Sequence, residues 1–291
     1  MMSDNGEALN GYVAAALQGE LHGSEAVVDR LLAQGISAGR VYLDLIAPAQ
    51  RMIGDLWLQG AIDVAAEHLA TQVTLVHMDK LRPLFKRGES TNYKVGVTTP
   101  DGDYHFLGAR MVADFLLADG WDVVFLGPSL PANSLARVAE EKGLRVVCLA
   151  VSLSEALPAL AKAVAVLKGL KPAPAVLVGG VALSGLQNPL EETGADAVVQ
   201  DAGDVAAAAR RLVGLSAESQ SFEQYLLTVG ASIRRLRKER DWSQDRLAET
   251  AGLDRTYMSA LENGKQNLTL KALMSIAVAL DVTPEHLLAA R

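Results

Sequence analysis

A histidine follows a short apolar run in this chain, with a carboxylate two residues before it and a glycine three residues after it. The residues are Asp103, His105 and Gly108, in the stretch DGDYHFLG. A neutral imidazole suits a transition metal, and a carboxylate bonded to its other ring nitrogen fixes the tautomer and raises its basicity. The residues alone also allow a second interpretation, in which Asp103 caps the following helix and His105 lies at the surface.

Short β-branched runs alternate with helix-length segments on both sides of this loop. Apolar strands separated by helices indicate a parallel sheet covered on both faces, and five units predict a flavodoxin-like, doubly wound α/β domain. Ligands in that architecture bind beyond the carboxyl ends of the strands, where Asp103 and His105 fall. The runs are KVGVTT (94–99), DVVFLG (122–127), RVVCLAVS (145–152), AVLVGG (175–180) and AVVQD (197–201).

The pattern before the first strand is helical, with apolar residues three and four apart. It predicts a four-helix bundle with helices near 6–20, 24–34, 37–59 and 63–86, the last capped by Asp63. Nine residues separate Trp57 from the pair Glu67-His68. Because Trp57 ends one helix and Glu67 begins the next, both can face one cavity. The alternative is that Trp57 packs in the core and Glu67 is a helix-start carboxylate favoured by the helix dipole.

Composition limits the class of protein. The chain has 291 residues, half of them hydrophobic, and a net charge of -7. It lacks a signal-peptide pattern and an apolar run of about 18 residues, so we expect a folded, multi-domain cytoplasmic protein that does not enter a membrane. The single cysteine, Cys148, lies in an apolar run and is expected to be buried.

The last section has a different character. Residues 230–291 carry ten basic and eight acidic side chains, and five of the basic ones crowd into RRLRKER, residues 234–240. Ser243 and Asp254 are placed to cap two helices, and Gly252 to end the first of them, which predicts helix, tight turn, helix. The alternatives are a small helical protein-interaction domain and a basic cluster that is only a solvated face.

The loop resembles the D-x-H-x-x-G signature of cobalamin-binding domains, and two later elements resemble the same family: the S-x-L-like pair Ser152-Leu153 and the pair Gly179-Gly180. The resemblance implies that His105 displaces the cofactor's lower base and coordinates cobalt, while Gly108 and these two pairs line the pocket of the nucleotide tail. The haem or linear tetrapyrrole of a related sensor remains an alternative, since His105 can also bind iron.

The helical section resembles the W-x9-E-H element of cobalamin-dependent photoreceptor repressors. By that resemblance Trp57 lies over the upper face of the corrin, Glu67 contacts the sugar of a 5′-deoxyadenosyl group, and Val64 and His68 also line the cavity. This favours adenosylcobalamin. Leu58 stands where light-sensing members have a histidine that replaces the lost upper ligand, so a bis-histidine photoproduct is not expected through this position.

Residues 232–288 resemble the five-helix, all-α DNA-binding domain of the lambda-repressor and Cro type. The resemblance implies DNA contacts by six side chains. Arg255, Thr256 and Tyr257 would meet base edges in the major groove, Gln244 and Asn263 would bond phosphates, and Lys265 would also contact DNA.

These observations predict a cap domain (5–88), a cobalamin-binding domain (92–214), a linker (215–229) and a helix-turn-helix domain (230–291). The expected function is a cobalamin-responsive, light-responsive transcription regulator, not an enzyme, that binds a DNA operator as a homo-oligomer. A corrinoid methyl carrier serving a methyltransferase is the rival, because such carriers join a similar helical cap to a cobalamin domain.

Overall fold

The chain folds into two compact units, Met1–Ser216 and Ala217–Arg291. The computed structural model describes residues 2–215, 222–284 and 287. The first unit contains a helical bundle followed by a parallel sheet with helices, and the second is helical. The predicted combination of bundle, doubly wound α/β domain and all-α domain is confirmed.

The bundle contains the four predicted helical segments, with shifted ends and one interruption. Its elements are α1 (Met2–Leu17), α2 (Leu21–Ala33), α3 (Ala38–Val41), a π-helical turn (Tyr42–Ile46), α4 (Ala47–Leu58) and α5 (Val64–Leu81). The third segment widens into the π turn just before Pro48, which has no N–H to donate along the helix. The α-helix of the fourth ends five residues earlier than predicted, and the chain continues as a 3-10 turn (Arg82–Leu84), because Pro83 has no N–H to donate along an α-helix.

The bundle has its own apolar core, and this core extends onto the α/β domain. Asp63 caps α5 as predicted, since its carboxylate accepts a hydrogen bond from the Ala66 N–H at 2.9 Å. The side chain of Met111, which belongs to the α/β domain, is part of the same buried cluster. Other fully or almost fully buried members are Tyr12, Val28, Tyr42, Ile46, Ile53, Ala70, Met78 and Leu81.

Five parallel strands form the sheet: β1 (Lys94–Thr98), β2 (Asp122–Phe125), β3 (Val146–Ala150), β4 (Ala175–Gly179) and β5 (Ala197–Val199). Their order is β2-β1-β3-β4-β5, as expected for the flavodoxin-like type. The helices are α6 (Leu107–Ala118), α7 (Ala132–Lys142), α8 (Leu157–Lys168), α9 (Pro189–Thr193) and α10 (Val205–Leu212). Apolar residues of α6 and α10 pack on one face of the sheet, and those of α7 and α8 pack on the other.

Cys148 lies in the middle of β3 and is buried, as predicted. Its side chain packs with the cluster between the sheet and helices α6 and α10. Burial raises the pKa of the thiol to about 12, so the group stays protonated and behaves as a small apolar side chain.

A buried carboxylate joins the bundle to α6. Asp114, with a side chain only 1% exposed, accepts a hydrogen bond from the Tyr42 hydroxyl at 3.0 Å and faces the Arg82 Nε at 3.1 Å. Tyr42 lies on the π turn and also donates to the Met78 carbonyl. These bonds fix the bundle against the helix that follows the histidine loop.

The second unit contains four described helices: α11 (Phe222–Glu239), α12 (Gln244–Ala251), α13 (Arg255–Glu262) and α14 (Leu270–Ala279). The predicted caps are confirmed, because Ser243 accepts from the Arg246 N–H and Asp254 accepts from the Thr256 and Tyr257 N–H groups. Gly252 ends α12 with φ of 64°, a left-handed conformation that glycine adopts at little cost.

Helix α11 begins inside the segment expected to be a linker. Residues 222–229 are helical because Val229 and Ile233, one turn apart, are buried in the core of the second unit. Residues 216–221 of the expected linker lie outside the described residues. The fifth helix expected after α14 also falls largely on residues outside the description, namely 285, 286 and 288–291.

Candidate functional site

The loop between β1 and α6 places His105 next to a buried carboxylate. Asp103 is 0% exposed, and its Oδ1 accepts the His105 backbone N–H at 3.0 Å and lies 3.1 Å from His105 Nδ1. Its Oδ2 accepts the Ser152 N–H at 2.6 Å and the Leu153 N–H at 3.4 Å. Helix α6 begins without a side-chain cap. Asp103 therefore does not cap the helix, so that part of the interpretation is wrong, whereas His105 does lie at the surface.

The electrostatics of this pair favour an ionised Asp103 bonded to the Nδ1–H of His105. Burial alone raises the pKa of Asp103, but the hydrogen bonds from the His105 side chain, the Ser152 N–H and the His105 N–H lower it below its usual range. The bond to Asp103 raises the pKa of His105, against the opposing effect of burial. The imidazole side chain is 43% exposed, so its Nε2 is the nitrogen that can meet a ligand.

Ser152 and Leu153 lie just beyond the end of β3 and meet the histidine loop through their backbone. Gly179, the last residue of β4, and Gly180, which follows it, allow close backbone contacts at this end of the sheet. A Cβ on Gly180 would stand 2.0 Å from the Val151 carbonyl oxygen, and the φ of this residue is 119°. A Cβ on Gly179 would stand 2.8 Å from the Val199 carbonyl oxygen in β5. Gly180 is thus required for the close approach to Val151, the residue before Ser152, and Gly179 for the close approach of β4 to β5.

Gly108 differs from these two glycines. It occupies the first turn of α6, is exposed, and has nothing within 4 Å of the position where a Cβ would stand. No neighbour in the first unit demands glycine there. Open space beside Gly108 fits the expectation that a bound group passes this position.

Two cap residues reach the same side of the sheet as His105. The Trp57 ring centroid lies 6.3 Å from the His105 centroid at an interplanar angle of 46°, and Trp57 is 37% exposed. The two rings are in contact, so a planar group entering between them has to separate them. The Glu67 charge contributes to the raised pKa of His105, and its carboxylate accepts a hydrogen bond from Thr71 at 2.8 Å. Trp57 is therefore not simply a core residue.

The remaining predicted cap residues are surface groups. Val64 is 54% exposed on the first turn of α5, and the His68 side chain is 73% exposed with Nε2 3.7 Å from Glu67. Leu58 is 73% exposed at the end of α4. His77, by contrast, is fully buried and bonds the Tyr12 hydroxyl at 3.0 Å inside the bundle. His68 is thus the exposed imidazole of α5.

Two residues hold the backbone of the histidine loop through hydrogen bonds, and this role was not predicted from the sequence. Thr99 is buried and bonds the backbone of both Asp103 and Ser129. Ser129, in the loop after β2, donates its N–H to the Asp103 carbonyl at 3.1 Å. The sequence signal was weak, since a threonine pair at a strand end is compatible with ordinary packing.

The predicted base-reading residues occupy the first turn of α13. Arg255 and Thr256 are exposed, and Arg255 Nε lies 3.0 Å from a carboxylate oxygen of Asp245. Tyr257 is half-buried, and its hydroxyl donates to the Asn267 carbonyl at 2.9 Å. Arg255 and Thr256 are therefore exposed to an approaching surface, although Arg255 pairs with Asp245, and the Tyr257 hydroxyl already has a backbone partner.

The predicted phosphate-binding residues are less uniform. Asn263 and Lys265 are exposed at the end of α13, and Asn263 also donates to the Ser259 carbonyl at 2.7 Å. Gln244 donates instead to Glu262 at 2.8 Å and is half-buried. The same carboxylate is bonded by Arg237. Gln244 thus takes part in a buried polar network.

Family models match three parts of the chain. Two models described as B12 binding domains match residues 8–82 and 93–211. A model described as helix-turn-helix matches residues 233–287. The chain thus carries two B12-binding domains followed by a Cro-type helix-turn-helix domain. The B12-binding models span both the bundle and the sheet domain, so the cap and the histidine loop lie in matched segments.

Relatives of the B12-binding part are corrinoid proteins. The dimethylamine corrinoid protein 1 of Methanosarcina acetivorans is 24% identical over 201 residues, which are 67% of this chain and 86% of that protein. The solved monomethylamine corrinoid protein of Methanosarcina barkeri has the same fold, with a TM-score of 0.62 and 20% identity over 72% of this chain and 99% of that chain.

The helix-turn-helix domain has relatives of a different class. The control protein C.MunI of a Mycoplasma species is 43% identical over 62 residues, covering 21% of this chain and 84% of that protein. The combination supports a cobalamin-binding, DNA-binding regulator. No helix among the described residues is long and apolar enough to cross a membrane.

Proposed function

We propose that this B12-binding protein is a transcription regulator whose affinity for DNA depends on bound adenosylcobalamin and on light, and that it is not an enzyme. The observation that supports the cofactor site most directly is the hydrogen bond between the buried Asp103 carboxylate and Nδ1 of His105, with the Trp57 ring centroid 6.3 Å from the imidazole centroid. The helix-turn-helix domain supports the regulatory role.

The residues of the histidine loop fit a cobalt corrinoid. His105 would hold the metal through Nε2, because Asp103 occupies Nδ1 and fixes that tautomer. The nucleotide tail would pass Gly108, where space is open. Ser152, Leu153, Gly179 and Gly180 would line the tail's pocket at the ends of β3 and β4. Bound adenosylcobalamin supplies a cobalt–carbon bond that light can break.

The cap would cover the opposite face of the cofactor. Trp57 offers an indole and Val64 an apolar surface, and Glu67 can accept hydrogen bonds from ribose hydroxyls. His68 lies beside Glu67 at the rim. Carboxylate acceptors and an aromatic lid distinguish an adenosyl group from a methyl group, which has no hydrogen-bonding atoms.

The second unit would bind a two-fold symmetric operator as a homodimer. Arg255, Thr256 and Tyr257 would approach base edges, and Gln244, Asn263 and Lys265 would lie near phosphates. For the cofactor to control this binding, it must favour one of two states of the protein that differ in DNA affinity.

A spectroscopic titration tests the proposal. Purified full-length protein mixed with adenosylcobalamin in the dark should give the visible spectrum of a histidine-ligated corrinoid, and illumination should change it. Haem or a linear tetrapyrrole in the purified protein gives different absorption bands. Tight binding of either of these, with no change on adding adenosylcobalamin, would refute the assignment of the cofactor.

A corrinoid methyl carrier is the second candidate, favoured by the corrinoid relatives of the cap and sheet domains. A carrier would accept and release a methyl group in the presence of a methyltransferase and a thiol or folate acceptor. Stoichiometric methyl transfer to such an acceptor, together with no binding to any DNA from a random pool, would establish this candidate over the regulator.

A further inference from the structure

The loop that follows β2 fixes the backbone of the histidine loop through hydrogen bonds. Ser129 donates its N–H to the Asp103 carbonyl at 3.1 Å and to the Thr99 Oγ1 at 2.8 Å. The Thr99 hydroxyl donates to the same Asp103 carbonyl, and the Ser129 Oγ accepts the Gly102 N–H at 3.0 Å. We call Thr99 and Ser129 the loop clamp.

The clamp complements the bonds made by the Asp103 side chain. The carboxylate accepts hydrogen bonds from the backbone N–H groups of Ser152 and Leu153. The loop clamp bonds the backbone carbonyl of the same residue. Asp103 thus has both its side chain and its backbone fixed, so the His105 ring bonded to it has little freedom to tilt.

The conformation of Ser129 supports a specific role for this segment. Its φ is 55°, which is uncommon for a residue with a side chain. Such a conformation persists only where the surrounding bonds determine it, and such residues gather at functional sites. At Ser129 the determining bonds are those to Thr99, Gly102 and Asp103.

We propose that Thr99, with Ser129, is a positioning residue that sets the orientation of the His105 imidazole toward the cobalt of a bound corrinoid. This rests on the proposed cofactor site. Thr99 acts through Asp103 and need not touch the cofactor. Loss of the Thr99 hydroxyl should therefore weaken the ligation of the metal by His105. The loss should be larger than that caused by removing a neighbouring buried hydroxyl that does not bond Asp103.

The neighbouring Thr98 provides a matched control. It is as fully buried as Thr99, and its hydroxyl donates to the Gly127 carbonyl at 2.7 Å in the same loop after β2. It makes no hydrogen bond to Asp103. Replacing either threonine with valine removes one buried hydroxyl at the same strand end and leaves a side chain of the same size. Only Thr99→Val removes a hydrogen bond to the loop that contains His105.

The experiment compares full-length Thr99→Val, Thr98→Val and Thr99→Ser with the parent, using adenosylcobalamin in the dark. Thr99→Val should bind about 10-fold more weakly, the lower end of the range for residues that orient metal ligands, with a spectrum shifted toward the form without histidine ligation. Thr98→Val should keep the parent's spectrum and affinity within about 2-fold. Thr99→Ser should restore both, since it keeps the hydroxyl.

Parent-like affinity and spectrum in Thr99→Val would overturn the inference, and so would equal losses in both valine variants. If Thr99→Val does not fold, Thr99→Ala, which also removes the hydroxyl bonded to the Asp103 carbonyl, replaces it, and a parent-like spectrum in that variant has the same consequence. A parent that shows no cobalamin binding overturns the proposed function as well. In that case the fault is in the cofactor assignment, and thermal unfolding of the parent verifies that it is folded.

Discussion

Each oxygen of the Asp103 carboxylate has a separate task. One oxygen bonds the backbone and ring of His105, and the other bonds the backbone after β3. Removing the negative charge of Asp103 therefore weakens the hydrogen bond that orients the His105 ring. Asp103→Asn should lower cobalamin affinity about 10-fold or more, and His105→Ala should lower it further and abolish the histidine-ligated spectrum. An unchanged visible spectrum in His105→Ala would show that this imidazole is not the ligand.

Substitutions of Glu67 test how the proposed site recognises the upper ligand of the cofactor. Its carboxylate lies close enough to His105 to contribute to the raised pKa of that group, and it is mostly shielded from solvent. Glu67→Gln keeps a hydrogen-bond acceptor, whereas Glu67→Ala removes it. We expect Glu67→Ala to lower affinity for adenosylcobalamin about 10-fold or more relative to methylcobalamin, because a hydrogen bond to a charged group contributes about 1.5–3 kcal/mol. An unchanged ratio in equilibrium titrations means that the cap does not recognise the adenosyl group.

At the scale of elements, the strands and caps were predictable because local rules determine them. Asp63, Ser243 and Asp254 cap their helices, and the five apolar runs contain the five strands. The π turn was not predicted, because it depends on the Tyr42–Asp114 contact between two domains as well as on Pro48. The start of α11 was missed for a similar reason, since burial of Val229 against distant residues extends the helix.

The distinction between features with a local sequence signal and features that depend on distant contacts applies also to the candidate site. The position of Trp57 on the side of His105 was expected only from the resemblance of the helical section to the cobalamin-dependent photoreceptor repressors. The loop clamp was not expected, because hydrogen bonds from Thr99 and Ser129 to backbone atoms leave no characteristic spacing in the sequence. The role of Gln244 was also obscured, since its bond to Glu262 depends on the packing of α12 against α13.

The first turn of α13 should carry the base specificity. Arg255→Ala should reduce discrimination between operator and unrelated DNA by about 1–3 kcal/mol. Lys265→Ala, a matched loss of one exposed positive charge, should weaken binding to all sequences and lower the salt slope by about 1. Fluorescence anisotropy with both DNAs over a salt series measures these effects. Equal losses on both DNAs in Arg255→Ala would remove Arg255 from the base contacts.

The buried ion pair of the second unit predicts a pH dependence of stability. Burial opposes ionisation of Glu262, but the Arg237 and Gln244 hydrogen bonds and the Arg237 charge lower its pKa below the ordinary value. The pair therefore stabilises the unit above the unfolded pKa of about 4.3, and this contribution is lost as the pH falls through the folded pKa. Glu262→Gln should cost about 3 kcal/mol near neutral pH and much less in acid.

Urea unfolding of a Trp57→Phe, Trp121→Phe chain reports on this unit through Trp242, which packs against its core. Glu249→Gln, which changes an exposed carboxylate on α12, is the control. A pH dependence in Glu262→Gln equal to that of the control chain would contradict the assignment.

At the scale of the whole molecule, the proposed light response has to occur without a histidine at residue 58. Leu58 is exposed at the end of α4, at the position where the light-sensing members of the family that this segment resembles carry their histidine. Leu58→His should slow cofactor loss after illumination several-fold by supplying a second nitrogen ligand. Release rates from gel filtration after a light pulse measure this. A bis-imidazole spectrum in the illuminated parent that survives His68→Ala would contradict this account, since His77 is buried.

The most direct test of the central claim is the affinity of the full chain for its operator with and without adenosylcobalamin. An operator selected from random DNA by the full chain would be titrated in the dark with cofactor, after illumination, and without cofactor. We predict that cofactor changes the dissociation constant at least about 5-fold, the lower bound of ordinary allosteric coupling, and that illumination reverses the change. Equal dissociation constants under the three conditions, for protein that visibly holds the cofactor, would contradict it.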